Sequence, residues 1–176
     1  HSPIASAQVK SCLMLAGLNA QGKTKIYEKS LSRNHSEIML EYLGAQIKTG
    51  QDENGFYAEI IQSNLIPKNI EVVGDISSAA FFMVGAAITE DSDVTLEAVG
   101  INPTRTGVIE ILKQMGADIT VENERIAGGE PIADIHIRGT RTLKGIHMPE
   151  DQVPLAIDEF PSLFIAAACA EGQTVL

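Results

Sequence analysis

An internal repetition constrains the fold of this chain more than any other feature of its sequence. Three segments share a polar start, an apolar run with helical character and a short strand: SAQVKSCLMLAGLNAQGKTKI, SSAAFFMVGAAITEDSDVTL and DEFPSLFIAAACAEGQTVL. Offsets of 70 and 80 residues align them without internal gaps, with Thr24, Val94 and Thr174 in one register. We expect three related helices, each packed on several sides and followed by a strand.

A second repeated piece follows each of the first two segments. LSRNHSEIMLEYLGAQI matches NPTRTGVIEILKQMGADI, so that Arg33 corresponds to Arg105 and Gly44 to Gly116, both 72 residues apart. The apolar positions before each glycine have helical spacing, and a glycine in that place is typical of a helix end. The sequence therefore predicts a second, amphipathic helix in each unit.

Alternating patterns predict two further strands per unit, at 45–48 and 56–61 and again at 118–122 and 135–137. The turn-rich runs TGQDENG and AGGEP separate the strands of each pair. The predicted unit is thus helix, strand, helix, strand, strand.

One unit spans about residues 5–66 and a second about 74–139. A third begins near Asp158 and stops at Leu176 without its second helix, which is the pattern expected of an incomplete repeat. The run IPKNIEVVGD joins the first two units, and we expect a hinge there, with one domain over residues 1–70 and another over 71–176.

Composition excludes several classes of function. A formal net charge of −10 disfavours a broad nucleic-acid or anionic-membrane surface, because both require clustered Lys and Arg. The longest apolar stretch, 79–88, is too short to span a bilayer. Cys12 and Cys169 lie in runs of small apolar residues and are expected to be buried and reduced, as in the cytoplasm. The four histidines show no metal-ligand spacing, so no metal site is predicted.

Polar residues at the starts of the apolar helices are the candidates for chemistry. Ser6, Asp75 or Ser77, and Asp158 each precede such a run, where a side-chain oxygen caps free backbone N–H groups. Capping is the simpler interpretation of each residue taken alone. Equivalent helix N-termini also attract phosphate or carboxylate groups, so an anionic substrate is the second interpretation. Lys10, on the first helix, is interpreted as a solvated charge, with an auxiliary anion contact as the alternative.

Four motifs in order resemble the 5-enolpyruvylshikimate-3-phosphate synthase family: PIASAQVKSCLMLAGLNAQGKT, SLSRNHSEIML, GDISSAAFF and IDEFPSLFIAAACAEGQT. The resemblance covers nearly the whole chain. It implies an α/β (α+β) fold of repeated enolpyruvyl transferase-like units, with buried parallel helices and outer mixed sheets, here incomplete. The implied reaction moves the enolpyruvyl group of phosphoenolpyruvate to the 5-hydroxyl of shikimate 3-phosphate, in aromatic amino acid biosynthesis, without a metal or organic cofactor.

The resemblance also implies roles for individual residues. Ser6 and Ala7 resemble residues that hold the phosphate of shikimate 3-phosphate, and Gln8 resembles the residue that touches both substrates. Arg33 matches an arginine near the same phosphate, where a planar guanidinium suits bidentate binding. Asp158 resembles the carboxylate that binds the ring hydroxyls and acts as base toward the attacking 5-hydroxyl.

Other residues of these motifs are expected to be structural. The GDISS run is assigned mainly to the domain crossing and to helix capping, Arg105 to structure, and Glu159 to structure or the rim of the site.

The chain also departs from the family pattern. The N-terminal lysine and arginine, the glycine-rich phosphoenolpyruvate loop and further Lys, Glu and Arg residues after the third repeat are not in this sequence. Without those cations the chain is predicted to be inactive alone, and its partners are the missing segments of the same enzyme as well as the two substrates. Apolar surfaces that normally meet those segments are expected to be exposed.

Two alternatives remain open at this stage. The UDP-N-acetylglucosamine enolpyruvyl transferase family shares the architecture and the donor, although its reactive-cysteine loop is not visible here. A non-catalytic repeat scaffold is the alternative from another class, since capping explains every polar helix start.

Overall fold

A computed structural model describes residues 1–140 and 142–176 and divides into two compact units. The first unit contains His1–Glu71 and Gly128–Glu130, and the second contains Val72–Ala127 and Pro131–Leu176.

Five elements build the first unit, in the order α1 (Ala7–Gly17), β1 (Lys23–Glu28), α2 (His35–Tyr42), β2 (Ile47–Asp52) and β3 (Gly55–Ile61). The strands form an antiparallel sheet in the order β1-β3-β2, so the last strand lies in the middle. A small apolar core, centred on the fully buried Met14 and Ile60, lies between the helices and this sheet.

The second unit repeats this plan with α3 (Ile76–Ile88), β4 (Asp93–Gly100), α4 (Gly107–Gln114), β5 (Asp118–Ala127) and β6 (Glu130–Arg138). Its sheet has the order β4-β6-β5, again with the last strand in the middle. The predicted unit of helix, strand, helix, strand, strand is therefore confirmed in both copies. Parallel pairing occurs at isolated bridges, such as Lys144 with Glu171 and His147 with Val175.

The two amphipathic helices end in the same way, as the glycines predicted. Gly44 follows α2 with φ of 94° and Gly116 follows α4 with φ of 92°, a conformation that favours glycine. In each case the glycine N–H and the N–H of the next residue donate to carbonyl oxygens of the last helical turn. The second of these bonds joins Ala45 N to Leu40 O at 2.9 Å and Ala117 N to Leu112 O at 3.0 Å. Both ends are Schellman motifs, so the repeat extends to backbone hydrogen bonds.

The hairpins are tighter than the sequence predicted. The run TGQDENG was expected to be a loop, but β2 continues to Asp52 and β3 begins at Gly55, which leaves two residues for the turn. β5 and β6 likewise extend to either side of Gly128 and Gly129, which both have positive φ. Two-residue turns of this kind suit the twist of paired strands, so the pairing extends further than the polar sequence indicates.

Two short 3-10 segments, Glu150–Leu155 and Ile157–Glu159, lead into α5 (Phe160–Cys169) of the third repeat. Pro161 lies in the first turn of α5, where its missing N–H costs no intrahelical hydrogen bond. Asp158 therefore precedes its helix, whereas the aligned Gln8 and Ser78 lie inside theirs. The core of the second unit is formed mainly by α3, α4, α5 and the inner face of the sheet.

Each apolar helix is buried on one face rather than on several sides. Met83 of α3 and Leu163 of α5 are fully buried, but Phe81 is 66% exposed and Ile165 54% exposed. An open apolar groove of about 180 Å³ runs between α3 and α5 and includes both exposed residues. Exposed apolar surface was expected from the family resemblance, and the structure shows it on α3 and α5.

The two cysteines are also exposed and unpaired, contrary to the expectation of buried thiols. A run of small apolar residues marks a helix that packs closely, but it does not tell which face of the helix meets the core.

Candidate functional site

The candidate residues of the first unit begin at the N-terminus of α1. Ser6 is the N-cap, with extended backbone, and its Oγ accepts a hydrogen bond from the N–H of Val9 at 3.4 Å. The same hydroxyl donates to Oε1 of Gln8 at 3.2 Å. Ser6 and Ala7 are half-buried and Gln8 is exposed. The predicted cap is confirmed, and the positive end of the helix dipole is accessible beside these side chains.

Glu28, at the end of β1, connects this helix start to a second loop. Its Oε1 accepts from the backbone N–H of Ser6 at 3.0 Å, and its two carboxylate oxygens each lie 2.8 Å from Oγ of Ser32. Ser32 directly precedes Arg33, which is half-buried and lies two residues before α2. The structure therefore brings Ser6, with its neighbours in α1, and the Arg33 loop onto one carboxylate.

Lys10 is buried in the same network, and its interpretation as a solvated charge was wrong. Its side chain is only 3% exposed, and Nζ lies 3.0 Å from Oε2 of Glu28 and 2.8 Å from Oε1 of Glu37. It also donates to the carbonyl oxygen of Ser32 at 3.4 Å. Burying an ammonium group is costly unless carboxylates pair with it, and here the two carboxylates come from elements that are distant in sequence.

An open cavity of about 370 Å³ borders this network and is lined by residues that include Lys10, Glu28, Glu37 and Tyr57. None of Ser6, Ala7, Gln8 and Arg33 is among its lining residues. The predicted substrate residues therefore do not line this cavity, whereas the buried charges of Lys10, Glu28 and Glu37 do.

Another predicted site residue lies in the second unit. Asp158 is in the 3-10 segment Ile157–Glu159, and its carboxylate is 48% exposed. Its Oδ2 lies 3.9 Å from Nη2 of Arg105. An aspartate in this position keeps oxygen atoms accessible to a substrate hydroxyl while a cation lies beside it.

Arg105 is the centre of a charge cluster that sequence reasoning did not recognise. Its Nη2 lies 3.4 Å from Oε1 of the buried Glu159 and 3.7 Å from Oδ1 of Asp75, and it donates to Oγ of Ser77. Ser77 in turn donates to Glu159. The repeat did contain a signal, because Arg105 aligns with Arg33, and Arg105 contacts Asp75 and Ser77 at the start of α3. Glu159 is a buried partner of this cluster rather than a rim residue.

Asp75 caps α3, as expected for the GDISS run. Its carboxylate accepts from the backbone N–H of Ser77 at 3.3 Å and of Ser78 at 3.0 Å. Partial burial acts to raise the pKa of Asp75, but hydrogen bonds from the Ser78 hydroxyl and from these two N–H groups, with the nearby charge of Arg105, outweigh it. The pKa of Asp75 is therefore held below its usual value.

The five predicted site residues thus fall into two groups. Ser6, Ala7, Gln8 and Arg33 belong to the first unit, where Ser6 and the residue before Arg33 donate to Glu28, and Asp158 lies beside Arg105 in the second. A helix N-terminus with a nearby guanidinium can hold a phosphate group, and an exposed carboxylate can accept a proton. Within residues 1–140 and 142–176, no three or more His, Cys, Asp or Glu side chains are grouped to hold a metal ion.

Fold and site together define a repeat-built α/β protein with polar helix starts suited to anions. The sequence model of EPSP synthase (3-phosphoshikimate 1-carboxyvinyltransferase) matches residues 1–176, and the chain belongs to this family. Its relatives include 3-phosphoshikimate 1-carboxyvinyltransferases of Methylococcus capsulatus, 60% identical, and Hydrogenovibrio crunogenus, 57% identical, each matched over 99% of this chain.

Solved structures agree with this assignment. EPSP synthase from Acinetobacter baumannii is 70% identical and superposes with a TM-score of 0.91 over 99% of this chain. The chain spans 39% of the length of that protein and of both curated relatives. None of the helices in the described part of the chain has the length and apolar character needed to cross a membrane.

Proposed function

We propose that this chain is a segment of a transferase that moves the enolpyruvyl group of phosphoenolpyruvate to the 5-hydroxyl of shikimate 3-phosphate. The observation that carries the proposal is the identity of 57% to 60%, over 99% of the chain, to relatives named 3-phosphoshikimate 1-carboxyvinyltransferase. The full-length enzyme acts in aromatic amino acid biosynthesis in the cytoplasm, and the remaining segments of the enzyme are the partners of this chain.

Residues 1–70 belong to the domain that binds the shikimate phosphate, and residues 71–176 belong to the second domain. The N-terminus of α1 and the guanidinium of Arg33 hold the phosphate, with Ser6 and Ala7 as direct contacts. Accessible N–H groups at a helix start and a planar cation are the donors that a phosphate monoester requires. Support for this assignment comes from the shared carboxylate of Glu28, to which Ser6 and the residue before Arg33 are both hydrogen-bonded.

Asp158 acts as the general base. The 5-hydroxyl oxygen adds to C2 of phosphoenolpyruvate and passes its proton to the Asp158 carboxylate, while an acid protonates the methylene carbon. Loss of a proton from that carbon and of phosphate from C2 then restores the double bond. The half-exposed carboxylate has the access that this role requires. Gln8, exposed at the start of α1, contacts both substrates.

The test uses the full-length enzyme that contains this segment, with phosphate release measured from phosphoenolpyruvate and shikimate 3-phosphate. We expect turnover in the wild type and a loss of at least about a hundredfold in kcat for Asp158→Asn, which keeps the shape of the side chain but removes the base. The matched control is Asp151→Asn, an exposed aspartate of the preceding 3-10 segment, which should retain turnover.

Other outcomes would reject the proposal in distinguishable ways. Turnover with UDP-N-acetylglucosamine but not with shikimate 3-phosphate would identify the other enolpyruvyl transferase. A folded full-length protein that binds neither acceptor would leave the scaffold interpretation. Turnover that survives Asp158→Asn would remove Asp158 from its role without changing the reaction.

A further inference from the structure

Two loops of the first unit depend on one buried carboxylate, which no prediction had singled out. Glu28 is 3% exposed and lies at the end of β1, between the start of α1 and the loop before α2. The two loops are 26 residues apart in sequence at their contacts, Ser6 and Ser32, and each donates a hydrogen bond to this carboxylate.

We propose that Glu28 is a positioning residue that holds the α1 start and the Arg33 loop at the separation required by one phosphate monoester. The inference rests on the proposed function, since it names a residue that acts through Ser6 and Arg33 rather than by touching the substrate. Phosphate binding is sensitive to such positioning, because helix N–H groups and a guanidinium bind in fixed directions.

The charge of Lys10 makes this arrangement possible. A buried carboxylate behind an anion site would repel the ligand and would itself be costly to desolvate. The ammonium group of Lys10, 3.0 Å from Oε2 of Glu28, compensates that charge. Lys10 also donates to the carbonyl oxygen of Ser32, so the Arg33 loop is held from two directions.

Glu37 provides a matched comparison inside the same cluster. It pairs with Lys10 at 2.8 Å and is nearly as buried as Glu28, at 5% exposure. No hydrogen bond to Ser6 or Ser32 is found for Glu37 in the described part of the chain. A substitution at Glu37 therefore disturbs the buried charge cluster without removing the connection between the two loops.

The experiment compares the dissociation constants of shikimate 3-phosphate and of shikimate in the full-length enzyme, by calorimetry, with Glu28→Ala and Glu37→Ala. The dissociation constant of shikimate divided by that of shikimate 3-phosphate measures the contribution of the phosphate. Hydrogen bonds to a charged group contribute strongly, so we expect Glu28→Ala to reduce this ratio about tenfold or more, with a small change in shikimate affinity. Glu37→Ala should preserve the ratio even where it lowers stability.

Glu28→Gln has nearly the same shape and keeps one oxygen acceptor, so it remains informative where Glu28→Ala does not fold. We expect it to reduce the ratio in the same direction but less. A ratio preserved in folded Glu28→Ala or Glu28→Gln, or reduced equally by Glu37→Ala, would overturn the positioning role. A wild type that does not favour shikimate 3-phosphate over shikimate would instead overturn the proposed function, and this inference with it.

Discussion

Arg105 and Glu159 form a largely buried ion pair in the second unit, with Nη2 of the arginine 3.4 Å from Oε1 of the glutamate. Glu159 is the residue next to Asp158, whose Oδ2 lies 3.9 Å from the same guanidinium nitrogen. The proposed base is therefore adjacent in sequence to a fixed carboxylate and adjacent in space to its cation. Arg105 therefore compensates the buried charge of Glu159 and also lies beside the proposed base Asp158.

Arg105→Met should lower the free energy of unfolding by about 3 kcal/mol, because it leaves the carboxylate of Glu159 buried without its cation. Urea unfolding at neutral pH measures the change. The control is Arg125→Met, whose side chain is 45% exposed and 3.3 Å from Asp134. Exposed pairs contribute about 1 kcal/mol or less, so equal effects of the two substitutions would contradict the buried role of Arg105.

Asp75→Ala should cost about 1 kcal/mol at pH 7 through loss of the α3 cap. The pKa of Asp75 is lower in the folded state than in the unfolded state. Its contribution is therefore fully present above the unfolded pKa of about 3.9 and is lost as pH falls through the lower folded value. Thermal unfolding of wild type and variant between neutral and acid pH should show the two converging below about pH 4.

The matched control for this pH dependence is Glu124→Gln, on an exposed position of β5. It should change stability little at neutral pH. If the difference in stability between wild type and Asp75→Ala instead grew as the pH fell, the pH dependence would have the opposite sign and would contradict the capping role of Asp75.

The groove between α3 and α5 should make the 176-residue chain self-associate. Phe81 and Ile165 are 66% and 54% exposed, and clustered exposed apolar side chains favour association. Phe81→Ser with Ile165→Ser should shift sedimentation toward the monomer at matched concentrations. Ile126→Ser, at a position on β5 that is 69% exposed, is the control. If Ile126→Ser prevents association and the double substitution in the groove does not, the groove is not the surface through which the chains associate.

The 176-residue chain should release no phosphate from the two substrates, in contrast to the full-length enzyme. The family resemblance implies that the cationic residues that bind phosphoenolpyruvate are not in this sequence, and stabilisation of the transition state for phosphate release depends on such donors. The assay compares the chain with its own Asp158→Asn variant. If the chain releases phosphate and Asp158→Asn abolishes that release, the missing cationic residues are dispensable.

Repeated local patterns allowed the fold to be predicted in outline. The alignment of Gly44 with Gly116 predicted two helix ends, and both have the same hydrogen-bonded form. The caps at Ser6 and Asp75 were likewise readable, because a cap depends on residues within one helical turn. Assignment of Ser6, Ala7, Gln8, Arg33 and Asp158 to the site came from motif resemblance and stays a prediction.

What the sequence determined by itself was therefore the order of elements in the repeated unit, the ends of the two amphipathic helices and the family. Only the tertiary structure decided that Lys10 is buried between Glu28 and Glu37, that Arg105 lies beside Glu159, and that the cysteines are exposed. The reason is physical. Helix ends and caps depend on neighbours along the chain, whereas the burial of a charge depends on partners brought from distant strands and loops when the sheets and helices pack.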